Sequence, residues 1–124
     1  MRTYLIGLDY GSESARGVLV DAESGQQVAH HVHPYRHGIM TTVLPEGSSI
    51  PSGFTLQNAD DYTEAAADIL SRLGRGRTIQ GIGLGFTASS PLPASADGVP
   101  LSRLYPGDPH AYVKLWKHNA QAYA

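Results

Sequence analysis

The chain opens on three apolar runs separated by short polar turns. Leu5, Ile6 and Leu8 lead into Asp9, and Val18, Leu19 and Val20 form the next run. The intervening Gly11, Ser12 and Ser14 suit a tight turn, which predicts strands at about 3–9 and 15–21. Glu23-Ser24-Gly25-Gln26 has the composition of a second hairpin turn, and a third strand follows from about Gln27 to Tyr35. Three consecutive strands on tight turns predict an antiparallel meander. Residues 36–57 carry Gly38, Pro45, Gly47, Pro51 and Gly53 without a clean period. They read as a long connection, either a functional loop or mobile surface.

The period then changes. Tyr62, Ala66, Ile69 and Leu73 recur at helical spacing, with Asn58 placed to cap and Asp60 and Asp61 in the first turn. Thr78 to Phe86 reads as a strand thinned by Gly81, Gly83 and Gly85, a pattern expected where another backbone or a ligand passes close by. A helix followed by a strand predicts a crossover that joins the meander parallel to a neighbour. The Asp9-to-Ser14 turn and the Thr87-to-Ser90 loop would then sit at strand carboxyl ends, facing one cleft. Asp97-Gly98 marks a hairpin. Gly107-Asp108-Pro109 predicts a last helix with Asp108 as cap, Tyr112, Trp116 and Ala120 on one face and Lys117 and His118 solvated. The chain stops inside that expected helix with no capping glycine, the mark of an excised piece of a longer protein.

Composition narrows the class. With 124 residues, 41% hydrophobic content and a formal charge of −2, the chain can bury a core and offers no basic surface for nucleic acid. It has no cysteine, which excludes disulfides and thiolate metal sites and fits a cytoplasmic protein. No run is long enough for a signal peptide or a membrane span.

Asp9 is the leading chemical candidate. An acid closing a buried strand is costly unless paired, hydrated or metal-linked. A Gly- and Ser-rich turn beside it can cradle an anion, with Mg²⁺ held at the acid. The alternative is an ordinary hairpin whose Asp and Ser bond turn amides. Arg16 either holds Asp9 or a substrate acid, or is a solvated strand arginine. Alternation places His31, His33 and His37 of the His30-to-His37 run on one face. They read as a zinc triad or as solvated imidazoles, and no acid lies beside them in sequence. Gly-x-Ser-x-Gly, Walker A and Gly-x-Gly-x-x-Gly patterns are absent.

Four blocks together, in this order and spacing, carry a resemblance. They are Asp9-Tyr10-Gly11-Ser12-Glu13-Ser14-Ala15-Arg16, Gly83 to Pro93, Asp97-Gly98-Val99-Pro100-Leu101 and Leu115-Trp116-Lys117-His118-Asn119. The chain resembles the FGGY carbohydrate kinases, and within them their ribulokinase branch. The resemblance implies an α/β fold, ribonuclease H-like within the actin-like ATPase superfamily: a mixed sheet of the three-strand meander plus a crossover helix and strand. It makes residues 1–124 the N-terminal part of the first, sugar-binding domain, with the ATP domain and the general-base aspartate beyond residue 124. It further implies ATP- and Mg²⁺-dependent phosphorylation of a ketopentose, L-ribulose first, as in arabinose catabolism. Asp9 would then be the metal-linked acid, acting through water, and Gly11, Ser12, Ser14 and Arg16 the phosphate side. Thr87, Ala88, Ser89, Trp116 and Lys117 would form the sugar side. Gly85 stands where family members often carry an acid, so no second acid is expected in this loop. Small molecules are the implied partners, with a homo-oligomer left open, and the fragment alone is expected to be inactive. Xylulokinase, glycerol kinase and a non-catalytic actin-like module are the alternatives.

Overall fold

The computed structural model describes residues 1–119, so Ala120 on the expected last-helix face, and the expected end inside that helix, lie outside the described residues. The elements run β1 (Thr3–Tyr10), β2 (Ser14–Asp21), β3 (Gln27–Pro34), β4 (Leu56–Gln57), α1 (Ala59–Gly74), β5 (Thr78–Gly85), α2 (Leu101–Leu104), a 3-10 turn (Pro109–Ala111) and β6 (Val113–Lys114). The chain is a mixed α/β fold divided into two compact units. Met1–Tyr35 and Tyr62–Thr87 make the first; Arg36–Asp61 and the chain from Ala88 onward make the second.

In the first unit a four-stranded sheet has the order β3-β2-β1-β5. β1 pairs antiparallel with β2 and parallel with β5, and β2 pairs antiparallel with β3. Alternation gives the sheet two faces. Ile6, Leu8, Ala15 and Leu19 project onto α1 and meet Ala65, Ile69 and Leu73. Gly17 lies under the helix at its closest approach, where any Cβ would overlap Cγ2 of Ile69. Asn58 caps α1, its Oδ1 accepting from the Asp60 N–H at 2.9 Å. The other face carries Leu5, Gly7 and Asp9 opposite Val20, Val18 and Arg16, with Gly81, Gly83 and Gly85 alongside. Of β5, Ile79 packs against this core, whereas Ile82 and Leu84, and Phe86 just after the strand, stay more than half exposed.

The second unit corrects one expectation. Residues 36–57 form the long connection expected, with isolated bridges at Met40–Leu56 and Val43–Ser49 and no helix or strand before β4. They supply Met40, Leu44, Ile50, Phe54 and Leu56 to a core that Ala111 and Tyr112 complete. The expected last helix is absent among the described residues. Asp108 does cap, accepting from the His110 N–H at 2.9 Å, but the turn it caps ends at Ala111. The chain then straightens so that Val113 and Lys114 pair with Gln57 and Leu56. Tyr112, Val113 and Leu115 are buried there, and long-range pairing outweighs a four-residue helical spacing. The Asp97-Gly98 hairpin forms as expected, with Ser95 N–H donating to the Val99 carbonyl at 2.9 Å and Gly98 at φ 81°.

Candidate functional site

The parallel pairing of β1 with β5 brings their carboxyl ends together, as Gly85 is the register partner of Asp9. The Thr87 hydroxyl donates to the Tyr10 carbonyl at 2.9 Å, and Phe86 stacks on Tyr10 with ring centroids 5.5 Å apart. Thr87 and the Asp9-to-Ser14 turn are therefore neighbours within the first unit. The Gly11 N–H donates to the Ser14 carbonyl at 2.9 Å, and the Tyr35 hydroxyl donates to the Gly11 carbonyl at the same distance. Gly11 thus spends its own N–H inside the turn. What it contributes is room, since a Cβ there would lie 3.0 Å from the Ser14 carbonyl oxygen.

Asp9 is exposed, so the burial cost argued from sequence does not apply to it. Its carboxylate makes no hydrogen bond or ion pair among the described residues. Arg16 stands directly across from it on β2, also exposed and without an ion pair to it. Asp21 shows what a turn acid looks like in the same fold. Its carboxylate accepts the N–H groups of Glu23 and Ser24 at 2.9 and 3.2 Å, and those bonds hold its pKa below the usual value. Asp9 and Arg16 instead close one end of a shallow depression of about 450 Å³, with Gly7, Gly83 and Gly85 as its floor. Gly85 leaves the space: a Cβ there would lie 3.1 Å from Oδ1 of Asp9.

Ala88, Ser89, Trp116 and Lys117 belong to the second unit. Ser89 is the one described non-glycine residue with positive φ, 57°, a strained geometry of the kind that gathers at binding loops. Trp116 and Lys117 are not on a helix. They are the central residues of a turn closed by the His118 N–H donating to the Leu115 carbonyl at 2.8 Å. Trp116 is 54% exposed, so it is a surface platform and not core, and the Lys117 ammonium lies 5.0 Å from its ring centroid. The turn is tied to residues 53–55. Leu115 N–H donates to the Thr55 carbonyl at 2.9 Å and Asn119 N–H to the Gly53 carbonyl at 2.8 Å. Gly53 needs both its φ of 89° and its missing side chain, because a Cβ would overlap the Asn119 carbonyl oxygen.

His118 was expected to be solvated. It is part-buried, its ring edge-on to Phe54 at 4.6 Å, and its Nδ1 accepts the Thr55 N–H at 3.2 Å. Burial, with Lys114 and His110 adding repulsion, pushes its pKa below the ordinary value. His31 and His33 also differ from both sequence readings, whereas His30 and His37 stay exposed. His31 Nε2 and His33 Nδ1 both bond Oδ2 of Asp68 at 2.8 Å, while Arg72 Nε donates to its Oδ1 at 2.7 Å. His37 belongs to the second unit, where its Nδ1 bonds Oδ1 of Asp61 at 2.8 Å. The described residues contain no group of three or more His, Asp or Glu able to hold a metal. The acid absent from the sequence neighbourhood of the histidines comes from α1, on the flank facing β3.

No described helix is long and apolar enough to cross a membrane. No family model matches the chain. It is 42% identical to the ribulokinase of Shouchella clausii over 97% of its own length and 23% of the relative's. The ribulokinase of Geobacillus thermodenitrificans is also 42% identical, over 96% and 22%, and that of Staphylococcus aureus strain Newman 39% identical, over 94% and 23%. Among solved structures, gluconate kinase from Lactobacillus acidophilus superposes with a TM-score of 0.74 at 21% identity, covering 96% of this chain and 20% of that one. Ligand-bound xylulose kinase from the same organism gives 0.72 at 21%, covering 94% and 20%. The chain spans less than a quarter of the length of these relatives. Across nearly all of its own length it is similar in sequence to ribulokinases, and it has the fold of a stretch of sugar kinases.

Proposed function

We propose that this chain is the N-terminal part of the sugar-binding domain of an FGGY-type kinase that moves the γ-phosphoryl group of ATP to a ketopentose, L-ribulose first. The observation that carries the reading is 42% identity to ribulokinases over 97% of the chain. The fold would be ribonuclease H-like, with the ATP domain and general base contributed by a longer polypeptide, in the cytoplasm. Thr87, Ala88 and Ser89, with Trp116 and Lys117, would meet the sugar. An exposed indole beside an ammonium offers an apolar face and a hydroxyl partner.

The donor set at β1 fits a hydrated divalent cation. The Asp9 carboxylate is exposed and unengaged, and Gly85 leaves space against it. Asp9 would hold Mg²⁺ through water, and the bound ion would offset charge on the transferring phosphoryl group. The Ser12 and Ser14 hydroxyls would orient the phosphate, Gly11 would give the turn its room, and Arg16 would add positive charge across from Asp9.

The test is a panel of ketoses and polyols offered with ATP and Mg²⁺ to the longer polypeptide. L-Ribulose should give the highest kcat/KM. A preference for D-xylulose or glycerol would favour another sugar kinase. Absence of phosphorylation across the panel would overturn the kinase reading.

A further inference from the structure

The His118 ring has a fixed protonation pattern. A nitrogen that accepts from a backbone amide must carry a lone pair, so Nδ1 is bare while it holds the Thr55 N–H. The neutral ring then has its proton on Nε2. A proton on Nδ1 would set two donors against each other and remove one of the ties between residues 53–55 and the turn. The ring lies against buried Phe54, whose other side meets His110 at 5.3 Å. The charged groups that bear on it are Lys114 of β6 and His110 of the 3-10 turn, with Asp108 acting in turn on Lys114. Lys117 follows in the turn itself. These surroundings oppose a second proton on the ring.

We propose that neutral His118 is the positioning residue of the Trp116–Lys117 turn, and that its protonation releases the turn and the surface it presents. That this surface is the sugar side rests on the reading above; the positioning role does not.

Trp116 is the only tryptophan of the chain, so its emission and acrylamide quenching report the turn directly. A pH titration of the 124-residue chain from 8 to 4.5, with far-UV circular dichroism as the check on folding, should show one step. Its midpoint should lie below the ordinary histidine value of about 6.5. Asn places a non-titrating acceptor near the position of Nδ1, so His118→Asn should keep the high-pH spectrum and abolish the step. His118→Phe retains the packing and has no acceptor, so it should show the low-pH spectrum throughout. A step that survives in H118N, no step in the unmodified chain, or a high-pH spectrum in H118F would overturn the proposal. If the fluorescence behaves as expected and the longer polypeptide phosphorylates no sugar, the positioning role stands and the kinase reading fails.

Discussion

Gly17→Ala tests how closely α1 lies on the sheet. The new methyl would overlap Cγ2 of Ile69 and sit 2.9 Å from Cδ1 of Leu73, against an ordinary carbon separation of about 3.5–4.0 Å. Neither partner can swing outward, because Ile69 is 0% and Leu73 4% exposed. Overpacking of this kind costs about 1–3 kcal/mol, and two rigid partners put it at the upper end, about 3 kcal/mol. With a urea m-value of roughly 2 kcal/mol/M, the midpoint followed by circular dichroism should fall by about 1.5 M. Ile69→Ala alone should cost about 2–5 kcal/mol by opening a cavity. It also removes the overlapping atom, so the double variant should cost at least about 1 kcal/mol less than the sum. An unchanged midpoint in G17A, or additive costs in the double variant, would refute the packing argument.

Three further outcomes follow from the site and its surroundings. Arg72 first, then His33 and His31, hold the Asp68 carboxyl well below the usual carboxylate range. Its contribution to stability is therefore present above about pH 4 and lost as pH falls below that. Asp68→Asn should flatten the pH dependence of the urea midpoint between pH 5 and 2, and equal slopes would contradict this. In the longer polypeptide, Asp9→Ala should lower kcat by orders of magnitude with modest change in sugar affinity, since charge stabilisation acts mainly in the transition state. An unchanged kcat would remove Asp9 from the mechanism. Trp116→Ala should weaken sugar binding more than ATP binding by calorimetry; the reverse order would end its role as a sugar platform.

The first unit was legible because its signals are local. Apolar runs, Gly- and Ser-containing turns and the stripe from Tyr62 to Leu73 each lie within a few residues of what they specify, and the strands and helix fall where those signals place them. The second unit hides its order. Met40, Leu44, Ile50, Phe54 and Leu56 follow no period, because each reaches the core from a different short segment. Trp116 was misplaced for the same reason: its turn is set by bonds to Thr55 and Gly53, some sixty residues earlier. Asp9 was singled out for its position at a strand end, and the burial argued for it does not hold, since its carboxylate is exposed. The histidine pair on Asp68 spans 35 and 37 residues, beyond any search of the sequence neighbourhood. Alternating histidines on a strand and an acid on the helix flank that packs it were the available signal.

β5 has a consequence for how the chain behaves at high concentration. It is the end strand of the described sheet, and Thr78–Gly85 contains no charge and no proline. Ile82 and Leu84 add exposed apolar surface to that rim. Strand edges of this kind are ordinarily blunted by lysine or proline. Stacking rim to rim would meet no Coulomb barrier along β5, so changes in ionic strength would leave it unaltered. Chill and dilution would oppose it, because apolar contact weakens on cooling. Among the described residues, any such pairing would rest on eight uncharged positions along one rim.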